Sequence, residues 1–274
     1  METTLNIYES DNVPCEIYEA ARPYELKFGV KFSRFYVFPK NLFCEINSNF
    51  ELPRENGKLL VASDTDEKIR ELFPVLTKAA NSSLSTPELR KRYFEALSGI
   101  YSQFSRKPIG GPTVLTVAPE REGRILAQRM GWFVGSAIAP NLKRIPYQSG
   151  LVVGLSGLDI KSSFEECNII DGAIASGATL ITVMHSLKDH VRRFHIYSVH
   201  AAFQGIRALF RMAYFLKIDI SITVGHATDG LNNKYYAIVE EQPNILQVGD
   251  LGDMIAILPD ISFNQGEKNS NVNL

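Results

Sequence analysis

In the stretch Cys167–Leu180, CNIIDGAIASGATL, an acid closes an apolar run and a series of small residues follows. Small side chains at Ala173, Ala175, Ser176, Gly177 and Ala178 let backbone amides approach an anion closely, and Ser176 and Thr179 add hydroxyl donors. At a strand-to-helix junction those amides combine with the partial positive charge of the helix N-terminus, so the chemistry offered is phosphate binding. Asp171, at the carboxyl end of the strand, is placed to accept hydrogen bonds from sugar hydroxyls. An acid beside a phosphate cradle favours a sugar phosphate over a bare anion. Spacing alone leaves a second reading open, a tight βα turn with Gly177 for geometry and Ser176 as N-cap. The Gly-Lys-Ser/Thr ending of a Walker loop and the three-glycine spacing of a dinucleotide fingerprint are both missing from the stretch.

The other residues with chemical potential are scattered. His185, His190, His195 and His200 recur every five residues. Five residues rotate a helix by about 140° and odd offsets on a strand point to opposite faces, so a shared metal is not expected. Cys15, Cys44 and Cys167 lack both the pairing of a disulfide framework and the spacing of a zinc site, which predicts reduced thiols and a cytoplasmic protein. Cys167, inside an apolar strand, is expected to be buried and inert.

The elements that must hold the phosphate stretch are visible as a change of pattern. Up to about residue 65 the chain is rich in aromatics and turn residues, and loose alternation predicts an accessory region of short strands. Thr86–Phe104 spaces Leu89, Tyr93, Phe94, Leu97, Ile100 and Tyr101 as one buried helical face, with Thr86 as N-cap and Pro87 at the first helical position. From Gly111 onward, short apolar runs (113–117, 150–155, 167–171, 194–200, 220–227) alternate with longer amphipathic ones (from Gly123 through Ile138, Gly177–Leu187, Ala201–Leu216). Such alternation is what a parallel sheet with right-handed crossovers requires, and it predicts an α/β, Rossmann-like fold with a central, mainly parallel sheet flanked by helices. The polar end, 263–274, is expected to be a flexible tail, leaving 66–262 as the main domain.

With 29 basic and 30 acidic residues among 274, the chain has no electrostatic footprint for nucleic acid, so an anion must be held locally. No run approaches the roughly 20 apolar residues of a membrane helix, and the N-terminus does not read as a secretory signal.

IIDGAIASGAT resembles the phosphoribosyl pyrophosphate loop of the type I phosphoribosyltransferases, most of all that of uracil phosphoribosyltransferases, where an apolar strand leads into Asp-Pro-Met-Leu-Ala-Thr-Gly-Gly-Ser/Thr. Asp171, Ala175, Ser176, Gly177 and Thr179 fit that pattern. Three further segments appear in the family's order. STPELRKRYFEALSGI is weakly similar to the helix carrying Thr-Ser-x-x-Phe-Arg. In VAPEREG (117–123), Arg121 and Gly123 match the family's Arg-Ala-Gly pyrophosphate loop, with Glu122 in place of a small residue. TDGLNNKYYAI and VGDLGDM are similar to the base-recognition segment, with Leu231, Asn232, Lys234, Tyr236, Gly249, Asp250, Gly252 and Asp253 in pattern. The resemblance spans roughly residues 75 to 258.

The resemblance implies transfer of ribose 5-phosphate from 5-phosphoribosyl 1-pyrophosphate (PRPP) to a uracil-like or related heterocyclic acceptor. Residues 171–179 (Asp171, Gly172, Ala173, Ile174, Ala175, Ser176, Gly177, Ala178 and Thr179) would hold the sugar phosphate. Arg121, Glu122, Gly123 and Arg124 would hold the pyrophosphate with Mg2+. Asp229, Tyr236, Ala237, Gly249 and Gly252 would face the acceptor, and Asp253 or Asp250, with Arg121, would assist the chemistry. It also implies a homodimer or larger homo-oligomer. Three departures stand out: VEEQPNILQ stretches the base segment, GLSGLDIKSSFEE is shorter than the family's mobile hood, and Gly172 replaces a proline. They motivate the alternative of a non-catalytic nucleotide- or PRPP-binding regulator on the same fold.

Overall fold

The computed structural model describes residues 5–39, 57–64, 66–81, 87–120, 122–133, 135–147, 150–228, 230–232, 235–239 and 242–246. In chain order the elements are β1 (Asn6–Glu9), α1 (Cys15–Phe28), β2 (Arg34–Pro39), β3 (Gly57–Val61), α2 (Glu67–Asn81), α3 (Pro87–Ser102), β4 (Val114–Val117), α4 (Glu122–Arg129), β5 (Ser136–Ile138), β6 (Asn141–Tyr147), β7 (Gly150–Ser156), β8 (Phe164–Ile174), α5 (Ala178–Leu187), β9 (Val191–Ala202), α6 (Phe203–Leu216), β10 (Asp219–Thr228), β11 (Ile238–Val239) and β12 (Gln242–Leu246).

Six strands form a parallel sheet in the order β3-β10-β9-β8-β4-β5. Its central strands are continuous apolar runs because both faces are covered. On one face Ile125 and Leu126 of α4 join Tyr93, Leu97, Ile100 and Tyr101 of α3 and Ile69 and Phe73 of α2. On the other, Ile181, Met184 and Leu187 of α5 join Ile206, Leu209 and Phe210 of α6. The α/β class and the parallel sheet are therefore present as expected.

A second sheet, antiparallel in the order β1-β2-β7-β6, packs one face on α5, where Tyr36 and Ser186 share a hydrogen bond at 2.7 Å. Its other face covers Ile17 and Ala21 of α1 with Phe35, Ile145 and Val152. Several local expectations change. The aromatic N-terminal stretch contains a fourteen-residue helix, α1, ended by Gly29 in the left-handed region at φ 64°. The run 150–155 is a strand as expected, but belongs to the antiparallel sheet. The helix expected from Gly123 through Ile138 stops at Arg129, and Ser136–Ile138 becomes the edge strand β5. β3, from before residue 65, pairs with β10 and so belongs to the central sheet.

Candidate functional site

The chain leaves β4 toward β5 on one side of the sheet and leaves β8 toward β9 on the other, so β4 and β8 are neighbours whose outgoing helices lie on opposite faces. At such a switch point a crevice opens at the carboxyl ends of the two strands. Both expected phosphate-binding segments lie here. α4 begins within five residues of the end of β4, and the stretch 171–179 is the end of β8, its turn and the start of α5.

The two segments touch. A Cβ on Gly123 would overlap the Ile170 carbonyl, and a Cβ on Gly172 would fall inside the Glu122 carboxylate. Close approach therefore requires glycine at 123, where backbone is met, while at 172 the neighbour is the flexible Glu122 side chain. Beneath them the fully buried Tyr101 donates its hydroxyl hydrogen bond to the Asp171 carbonyl at 2.6 Å. Burial pushes the Tyr101 phenol well up from its ordinary range, and the nearby carboxylates of Glu122 and then Asp171 add to the rise. Two acids thus stand beside one tyrosine at the crevice. Among the described residues no three His, Cys, Asp or Glu side chains cluster to hold a metal alone.

β8 runs on to Ile174, three residues beyond the sequence expectation, with Ala173 opposite His200 and Ile174 opposite Ala201. Gly172, Ala173 and Ile174 are therefore strand residues, and the turn is confined to 175–177. Gly177 sits at φ 79°, the left-handed region, and caps α5. The N-cap is therefore Gly177 and not Ser176, which precedes it; the buried Ser176 hydroxyl still accepts from the Ala178 amide at 3.3 Å. A Cβ on Gly205 would overlap the Ala175 carbonyl, which brings the N-terminus of α6 against the turn as well. Two helix N-termini meet at this turn, a favourable field for an anion. Asp171 accepts from the Gly172 amide at 2.9 Å.

In the segment between β4 and α4, Glu120 forms an ion pair with Arg124 of α4 at 2.7 Å. Arg121 lies outside the described residues, as do Asp229, Gly249, Asp250, Gly252 and Asp253. Tyr236 and Ala237 are described. Leu231 and Ala237 form an antiparallel bridge, the Tyr236 amide donates to Asn232 Oδ1 at 3.0 Å, and Tyr235 takes φ 62° to complete the turn. Arg144 of β6 fastens this loop twice. Its guanidinium lies 4.6 Å from the Tyr236 ring centroid and donates to the Tyr235 carbonyl at 3.2 Å. One face of Tyr236 is thereby covered by Arg144.

Several polar residues at the same edge carry no sequence motif. His200 is fully buried at the end of β9, with Nε2 3.1 Å from Thr228 Oγ1, whose hydroxyl reaches the Ile238 carbonyl at 3.4 Å. With Thr228 donating to that carbonyl, His200 donates from Nε2 and keeps a lone pair on Nδ1. That atom and Gln204 Oε1 are buried with no hydrogen-bond partner among the described residues. Burial, then the neighbouring His226, lowers the His200 pKa to about 3, so the ring is neutral. The only sequence signal was its place at a strand's carboxyl end.

At the opposite end of the sheet, His195 Nδ1 lies 2.6 Å from Ser221 Oγ, and Nε2 lies 3.3 Å from Glu166 Oε2. Arg106 is also 3.0 Å from Nε2. Because a guanidinium only donates, Nε2 accepts and Nδ1–H donates to Ser221, so the serine is not activated as a nucleophile. Cys167 is fully buried and burial pushes its thiol up from the ordinary range.

Among the described residues no helix is long and apolar enough to cross a membrane. No family model and no curated protein matches the chain. Solved structures resemble it distantly. The AQ2163 protein from Aquifex aeolicus aligns at 18% identity over 72% of this chain and 97% of its own, with a TM-score of 0.49. Adenine phosphoribosyltransferase from Thermoanaerobacter pseudethanolicus aligns at 15% identity over 50% and 86%, with a TM-score of 0.35. Orotate phosphoribosyltransferase from Mycobacterium tuberculosis, in complex with PRPP, aligns at 10% identity over 61% and 94%, with a TM-score of 0.36.

Proposed function

We propose that the chain is a type I-like phosphoribosyltransferase that moves ribose 5-phosphate from PRPP to a heterocyclic acceptor with release of pyrophosphate. The observation that carries this reading is the contact, at the β4/β8 switch point, between the segment that opens α4 and the small-residue turn that opens α5. The Ala175–Thr179 backbone and the α5 N-terminus take the 5′-phosphate, with Ser176 and Thr179 as hydroxyl donors. Asp171 accepts from the ribose hydroxyls.

Displacement at the anomeric carbon builds positive charge on the sugar and negative charge on the leaving group, so positioning and charge neutralisation do most of the catalytic work. Arg121, Gly123 and Arg124 face the pyrophosphate, Arg124 by exchanging its pairing with Glu120. Mg2+ suits this crevice because it prefers phosphate oxygens, water and one or two carboxylates, which Asp171 and Glu122 supply; when bound it neutralises the leaving group. Asp253 or Asp250 is assigned to the acceptor's ring N–H. The Arg144-fastened loop around Tyr236 supports that side.

Equilibrium binding of PRPP, combined with a pyrophosphate-release assay across a panel of heterocycles, tests the reading. Tight PRPP binding with release for at least one acceptor supports it. Binding without release for every acceptor identifies a non-catalytic regulator instead.

A further inference from the structure

The stretched base segment, VEEQPNILQ, has no role in the scheme above. Its described part folds as the antiparallel pair β11–β12 and is pinned to the end of α2. Asn81 Nδ2 donates to the Leu246 carbonyl at 2.8 Å, and the Leu246 amide returns a hydrogen bond to Asn81 Oδ1 at 3.0 Å. Between the hairpin and the helix lies a cleft of about 640 Å³ whose lining includes Val239 and Ile245 on one side and Phe73 and Pro74 on the other. That volume is within the roughly 300–1,000 Å³ of small-molecule sites.

The chemistry of the cleft is specific. Phe73 and His226 place their rings 4.9 Å apart at 47°, an aromatic corner for a flat ligand. Arg70 and Lys78 also line the cleft, about two helical turns apart on α2. Arg70 is held in place by donating from Nε to the Ser63 carbonyl. Among the described lining residues there is no carboxylate. The place also suits an acceptor. His226 is paired with His200, and His200 with Ala173, so two strand spacings, about 10 Å, separate this wall from the end of β8 along one edge of the sheet.

We propose that this cleft is the acceptor subsite and that it takes an aromatic acceptor bearing an acid group. The ring lies between the Phe73–His226 corner and Val239–Ile245, with the acid toward Arg70 and Lys78. This rests on the phosphoribosyltransferase reading, whose donor site lies elsewhere on the edge.

The test is calorimetric titration of the full chain with benzoate and 2-naphthoate and with their neutral carboxamides, and separately with PRPP. Each acid should bind about tenfold tighter than its carboxamide, the order of one hydrogen bond to a charged group. Lys78→Glu, an exposed change, should remove that preference, and Ile245→Trp should block acids and carboxamides alike. PRPP affinity should stay constant in both variants. Equal binding of acids and carboxamides, or a preference that survives both Lys78→Glu and Arg70→Gln, overturns the proposal. Failure of PRPP to bind the unaltered protein overturns the donor reading instead, while the acid preference still decides what the cleft recognises.

Discussion

The carboxylate of Glu122 lies over the α-carbon of Gly172, close enough that a Cβ there would sit 2.8 Å from Glu122 Cγ and overlap the carboxyl group itself. Glu122 opens α4 and Gly172 lies in β8, so the side chain of the helix occupies the space beside the strand that the glycine leaves open.

Gly172→Ala should therefore destabilise the protein by about 1 kcal/mol, the low end of the cost of overpacking, because the flexible Glu122 side chain can swing aside. In a Glu122→Ala background the same substitution should cost far less. A double-mutant cycle by denaturant unfolding measures the coupling. Equal losses in the two backgrounds would show that the two side chains do not share this volume.

Asp171→Asn should weaken PRPP binding about tenfold or more by removing the charged acceptor for ribose hydroxyls. The Tyr101 bond goes to the Asp171 backbone carbonyl, so this substitution leaves it in place and the unfolding midpoint should barely move. Titration with PRPP beside a thermal melt separates the two effects; unchanged affinity would remove Asp171 from the donor site.

Arg144→Ala should release the Tyr235–Tyr236 turn, raising KM for the acceptor several-fold while leaving the PRPP Kd unchanged. Arg144→Lys should recover little, because a compact ammonium cannot both cover the Tyr236 ring and reach the carbonyl in the same fixed geometry. Steady-state kinetics with each substrate varied in turn makes the distinction.

His200 should make stability depend on pH. Its pKa falls from 6.5 in the unfolded chain to about 3 in the fold, so between those values the unfolded state binds the extra proton. Its contribution is complete above pH 6.5 and is lost progressively as pH falls toward 3, by about 1.4 kcal/mol per unit. Denaturant unfolding of the wild type and His200→Gln across that range should give slopes that differ by one proton.

The turn between β8 and α5 was legible because its signal is local: an acid, a run of small residues and an apolar segment on either side. The buried face of α3 was legible for the same reason, through its three- and four-residue spacing. What depends on distant partners was not. β7 is as apolar as a central parallel strand, and only its pairing with β2 and β6 assigns it to the second sheet. α1 and α2 each carry an internal proline, Pro23 and Pro74, and α2 gave no sequence expectation although it supplies one wall of the cleft. The helix expected through Ile138 was ended by Gly131 in the left-handed region at φ 66°, a conformation that the surrounding apolar residues do not announce. The Arg144 contacts reach across about ninety residues, beyond any periodicity.

The clamp between Asn81 and Leu246 also orders events during synthesis. It joins residues 165 positions apart, and β3 likewise waits for β10 to reach it. A ribosome-bound chain that has emerged through α6 already carries both walls of the β4/β8 crevice, whereas the cleft against α2 must wait for nearly the last described residues. Long-range pairings of this kind are slow to form, so chains released early would carry the β4/β8 crevice with the cleft against α2 still open.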